Sequence, residues 1–200
     1  MNRIIRDGAF VGAILAVASY IAFSMIAYIT FPLPYSPIRN WLSDLGNVEI
    51  NVRGAIFYNI GIVTAAFFII VFFLGLSIWR MKERKIQRIM LLLAQIFGMA
   101  GSICMMMSAI FPINLLEVHS IWSMALYFML ATSFVFLAAA LRYHPKVPRW
   151  LLILGVSTAV LVNLTIFLPT ACLLEWITVI LFLGYVGLVG VQTRREAQQS

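Results

Sequence analysis

The side chains able to do chemistry gather at the ends of apolar runs: Arg39, Asn40, Ser43, Asp44, Asn47, Asn51, Asn59, Glu117, His119 and Glu175. His119 can carry a proton, and it stands two residues after Glu117, at the head of an apolar run. One use of the set is acid–base or nucleophilic work on a lipid ester or phosphate. Ser43 would be the nucleophile and His119 the base, or Asp44 and His119 would divide the proton transfers. A second use is a metal held by Asp44, Glu117, His119 and Glu175, although no histidine or cysteine spacing in the chain announces one. The third needs no chemistry: Asp44 pairs with Arg39 or Arg53, caps a helix or bonds His119, and so fastens a short segment to the rest of the protein. Arg39, Asn40, Trp41, Asn51, Asn59 and Glu117 would then surround a binding surface, with no metal or cofactor required.

The element that must position these groups is the stretch Ser36 to Gly46, SPIRNWLSDLG. Ser36 followed by Pro37 suits a helix start and Gly46 a stop. Ile38, Trp41, Leu42 and Leu45 recur at helical spacing, leaving Arg39, Asn40, Ser43 and Asp44 on the opposite side. The pattern predicts a helix of about two turns. That is far short of the roughly 20 apolar residues a bilayer requires. It is expected to lie flat on a membrane surface with its polar residues facing outward.

The rest of the chain supplies the membrane. The 200 residues are 63% hydrophobic and 10% charged, with mean hydropathy +1.01, well outside the range of soluble globules. Six segments are apolar enough to cross: 8–31, 54–79, 89–111, 120–141, 150–169 and 175–192, the last being the shortest. The expected fold is therefore all-α, a polytopic six-transmembrane-helix bundle in a single domain, with the short interfacial helix between its first two spans. Arg3 and Arg6 precede a first apolar run too long for a signal peptide, which predicts an uncleaved span. With the N-terminus inside, twelve of the fourteen basic residues fall on the cytoplasmic side and only Arg39 and Arg53 outside. Both termini are then cytoplasmic, the Ser36 to Gly46 helix is extracytoplasmic, and the expected location is the cell membrane. The same clustering explains the +7 charge without nucleic acid.

Smaller signals fit this frame. Ile110-Phe111-Pro112 leads to Glu117 as Ile166-Phe167-Leu168-Pro169 leads to Glu175, a weak repeat of one outward-facing hairpin design. Gly8, Gly12 and Ala16, then Ala94, Gly98 and Ser102, and finally Gly184, Gly187 and Gly190, give three helices small faces. Close packing inside the bundle is their ordinary use, and a homo-oligomer is the other. Gln95 and Asn163 are expected to bond between helices. No Asp, Glu, Lys or Arg lies deep in a span, which argues against an ion-driven pump. His144, between Arg142 and Lys146, is expected in a solvated loop. Cys104 and Cys172 form no disulfide framework and read as small apolar residues.

Tyr35-Ser36-Pro37, Asn40-Trp41-Leu42-Ser43-Asp44-Leu45-Gly46, Asn51, Phe57 with Asn59, Phe111-Pro112 and His119 together resemble the integral membrane proteins grouped as domain of unknown function 998. That family is similar in turn to the eukaryotic FRAG, DRAM and SFK proteins. The resemblance covers about residues 8–190, with Asn51-Val52 standing where Asn-Pro would be expected. It implies a lipid-linked membrane function and no established activity. Alkaline ceramidases look superficially similar, but they need a three-histidine zinc site, and this chain has two histidines on opposite predicted sides. The expectation is a lipid-associated membrane protein whose extracytoplasmic polar site binds a lipid headgroup or partner. An interfacial hydrolase or acyltransferase using Ser43, Asp44 and His119, and a small transporter with a polar cavity past Gln95, Ser102 and Asn163, are the rivals.

Overall fold

The computed structural model describes residues 3–167 and 172–199. Its helices are α1 (Arg3–Ile29), α2 (Ala55–Gly75), α3 (Lys85–Ile110), α4 (Leu116–Leu141), α5 (Arg149–Phe167) and α6 (Cys172–Gln199). A 3-10 turn, Leu76–Trp79, prolongs α2, and a separate 3-10 helix, Leu42–Gly46, bridges the α1–α2 connection. Among the described residues there is no strand. Among the described residues, five helices are long and apolar enough to cross a membrane, and α5 contributes an apolar stretch, Arg149–Leu164. The last span, expected to be the shortest, is one of the five, Cys172–Gln198. Pro169, part of the expected hairpin repeat, lies outside the described residues.

Each helix packs on its neighbour in sequence, and α6 returns to α1, so the six close into a ring. The ring is tight where side chains vanish. A methyl group on Gly12 would come within 2.5 Å of the Phe72 amide nitrogen, so α1 and α2 touch backbone to backbone there. Gly98 lies against the Phe73 ring and Gly190 against Ala13, so both pack within the chain, while Gly184 has nothing within 4 Å. Gln95 does bond between helices, donating to the Phe73 carbonyl at 2.8 Å and to Ser77 at 3.0 Å. Asn163 instead donates to Ala159 on its own helix. Inside the ring, Phe134 stacks on Phe182 with centroids 5.4 Å apart and meets Tyr185 edge-on. Dispersion between such fully buried rings, not water exclusion alone, holds helices in a lipid solvent.

At one end the loops are basic. Arg84 and Arg142 both lie over the Tyr143 ring, Lys146 pairs with Glu196 at 3.2 Å, and Arg194 lies over Phe10. His144 is not a solvated loop residue. Its Nε2 lies 2.8 Å from the Trp79 carbonyl oxygen and its ring packs edge-on to Trp79, whose indole N–H donates to Thr193.

At the opposite end the Ser36 to Gly46 segment departs from its expected form. Ser36 accepts the amides of Arg39 and Asn40, and Asn40 returns a side-chain oxygen to the Ser36 amide, closing one isolated turn. Trp41 is extended, at φ −66° and ψ 147°, and only then does the chain coil, for five residues. The cap is supplied at that second start: Asp44 Oδ2 accepts the Trp41 amide at 2.9 Å. With three residues per turn, Leu42 and Leu45 eclipse each other and are both buried, while Ile38 is 74% exposed. The segment is a strap tied down over the ring, not a two-turn helix lying flat. Ser43 consequently faces inward and is buried.

Candidate functional site

The strap is tied by buried amides and carboxylates. Asn51, fully buried, donates to the carbonyls of Ala27 and Leu45 at 3.0 and 2.9 Å and accepts the Gly54 amide. It joins the end of α1, the strap and the start of α2, and its hydrogen-bonding capacity is spent there. Asn59, one turn into α2, donates to the Gly46 carbonyl. Tyr35 donates to the Trp41 carbonyl at 2.6 Å and Trp176 to that of Asn40. Burial, and after it the negative charge of Asp44 and Glu175, pushes the Tyr35 phenol up, so it remains a donor. From α6, the Glu175 carboxylate accepts the Leu42 amide at 2.6 Å. The Ser43 amide and hydroxyl and the Tyr127 phenol also converge on it.

Beneath the strap the ring is hollow. A cavity of about 70 Å³ is lined from every helix and the strap, including Tyr20, Ser43, Tyr58, His119, Tyr127 and Glu175. A second, of about 310 Å³, lies against Trp41, Leu116, Ser120 and Met124 and shares Ser43, His119, Ser123, Tyr127 and Glu175 with the first. The two adjoin along one polar wall. Below it, Leu130, Phe182, Phe134 and Tyr185 close the interior, and Gln95 and Ser102 are buried with their polar atoms bonded.

His119 enters the wall in a defined state. Its Nδ1 lies 2.9 Å from the carbonyl oxygens of both Ser108 and Phe111. Two carbonyls can only accept, so Nδ1 carries the proton, and in the neutral ring Nε2 holds the lone pair. Nε2 has no partner among the described residues. Tyr20 and Tyr58 contribute a hydroxyl pair 3.4 Å apart. Thr178, fully buried on α6, has a hydroxyl without a partner among the described residues.

The structure gathers some of the expected site and disperses the rest. Ser43, Asn59 and His119 line the first cavity, and Trp41 lines the second. Asp44 lies outside both linings: its carboxylate serves Trp41 and Asn40, and burial pushes it above its ordinary value against those two bonds. Arg39 and Glu117 are exposed, and Asn40 is engaged in the strap. Among the described residues no three His, Cys, Asp or Glu side chains come together as a metal would require, so the four-ligand reading loses its geometry. The carboxylate beside Ser43 and in the wall with His119 is Glu175. Sequence reasoning weighed it only as a metal ligand, although it is the first charge at the head of an apolar run, in the same place in its hairpin as Glu117.

A family model, described as protein of unknown function (DUF998), matches residues 14–192. No curated protein and no solved structure matches the chain.

Proposed function

This protein belongs to the DUF998 family, whose function is unknown, and from that premise we propose that it binds an amphipathic, membrane-derived molecule at the extracytoplasmic end of its bundle. The observation that carries the reading is the pair of adjoining cavities under the strap, one small and one larger, both mostly apolar and joined along one polar wall of Ser43, His119, Ser123, Tyr127 and Glu175. A polar head would occupy the first and reach Ser43, His119 and Tyr127. An apolar chain would lie in the second against Trp41, Leu116 and Met124 and continue into the bilayer. The basic end, with Arg84, Arg142, Lys146 and Arg194, supports a cytoplasmic position for both termini, and hence an extracytoplasmic strap in a cell membrane.

Ser123 lines both cavities, so Ser123→Phe fills the junction. Native mass spectrometry of protein purified in mild detergent is expected to show a retained lipid in the wild type and none in this variant, with both monodisperse. Equal lipid retention by both proteins would refute the reading.

A second reading is favoured by the tethering of His119. A ring fixed through Nδ1 and open at Nε2 is the arrangement of a general base, and Ser43 stands in the same wall. The activity would be acyl hydrolysis or transfer, with Glu175 in place of Asp44 beside the serine. A fluorophosphonate probe that labels wild type and spares Ser43→Ala would support it, and no labelling would oppose it. Transport is not supported, because a path past Gln95, Ser102 and Asn163 would have to cross the packed Phe134, Phe182 and Tyr185.

A further inference from the structure

The lining of the smaller cavity narrows the class of head it takes, an inference that rests on the lipid-binding reading above. Among the described residues, no Lys or Arg lines either cavity. Glu175 is the one Asp or Glu among the described lining residues, and it accepts the Leu42 amide at 2.6 Å with Ser43 and Tyr127 beside it. It is engaged in holding the strap and is poorly placed to serve a cationic head as well. A phosphate fares worse: it would meet Glu175 and no lysine or arginine, in a space where removing charge from water is costly.

What remains free is neutral. His119 Nε2 offers a lone pair and Thr178 a hydroxyl without a partner among the described residues. Thr158 and Thr178 are both fully buried with a hydroxyl that has no partner among the described residues, and of the two only Thr178 lines the cavity. Thr30, Thr132 and Thr193 each fold the hydroxyl back onto the carbonyl four residues earlier, the ordinary resolution in a helix. Thr178 does not, although it is fully buried and lines the cavity. A cavity of about 70 Å³ has space for roughly five to seven water-sized groups at about 10–15 Å³ each, which suits a compact head of few heavy atoms.

We propose that the cavity between Ser43, His119 and Thr178 takes an uncharged, hydroxyl-bearing lipid head of about glycerol size, one hydroxyl donating to His119 Nε2 and another bonding Thr178, and that it rejects phosphate-bearing heads.

The test compares 1-oleoylglycerol with 1-oleoyl-lysophosphatidate, which differ only by the phosphate, on the full chain in detergent by microscale thermophoresis and thermal shift. Wild type should bind the monoacylglycerol at least tenfold more tightly. Thr178→Val keeps the shape and removes the hydroxyl, so it should weaken that binding about tenfold while leaving the ligand-free melting temperature unchanged or raised. The raised or unchanged melting point separates a lost contact from a lost fold. Equal or tighter binding of the lysophosphatidate would overturn the head assignment and leave lipid binding standing. Unchanged affinity in Thr178→Val would overturn the role of that hydroxyl. Binding of neither lipid, together with no lipid retained in native mass spectrometry, would overturn both this inference and the reading beneath it.

Discussion

Replacing Glu175 with alanine should loosen the strap before it disturbs the ring. The carboxylate takes the Leu42 amide at 2.6 Å and also serves Ser43. A hydrogen bond contributes about 0.5–1.5 kcal/mol net, and a buried amide left without an acceptor costs about 1–3 kcal/mol. Water entering the vacated space offsets part of this, so a loss of about 2–4 kcal/mol is expected. At about 2–4 °C per kcal/mol for a chain of this size, the melting temperature should fall by roughly 4–16 °C. Glu175→Gln keeps an acceptor for the Leu42 amide and should lose less than half as much. Melting can be followed by the fluorescence of Trp41 and Trp176, which lie at the strap. In parallel, a cysteine at Ser43, buried in the native protein, should react with a maleimide slowly in the parent and at least tenfold faster beside Glu175→Ala. If Glu175→Ala melts within about 1 °C of wild type and the cysteine stays protected, Glu175 does not hold the strap and the reasoning fails.

Other outcomes follow from single residues. Asn51→Ala removes bonds to Ala27, Leu45 and Gly54 and should cost about 2–4 kcal/mol, read as a lower midpoint of thermal unfolding. Gly12→Leu forces α1 from α2 at a backbone contact and should abolish a monodisperse peak in size-exclusion chromatography, whereas Gly184→Ala, with nothing within 4 Å of the added methyl, should leave that peak and the melting temperature intact. Burial raises Asp44, so it holds its proton more tightly folded than unfolded. Its contribution is fully present below the ordinary carboxylate value of about 3.9 and is lost as pH rises through the folded value. Asp44→Asn, which keeps an acceptor for Trp41, should remove that part of the pH dependence, seen as a flatter melting temperature as pH rises above about 4.

The sequence by itself determined the parts set by composition and period. Long apolar runs must satisfy their backbones internally, so they are helices wherever they sit. The small residues at Gly12 and Gly98 could be assigned to close packing because only missing side chains permit it. Ser43, Asn59 and His119, which line one cavity, were legible as candidates because polar groups crowd the ends of those runs. The identity of the carboxylate beside Ser43 was not. Asp44 is adjacent in sequence, but Trp41 breaks the turn begun at Ser36, and the tighter 3-10 coil carries Asp44 back to cap it while Ser43 turns inward. Glu175 arrives from 133 residues away because α6 closes the ring against α1 and brings its first turn beneath the strap. Local period decides which residues share a face of a helix. Only the closure of the ring decides which helix end meets which loop, and that closure selected Glu175, Thr178 and the hollow between them.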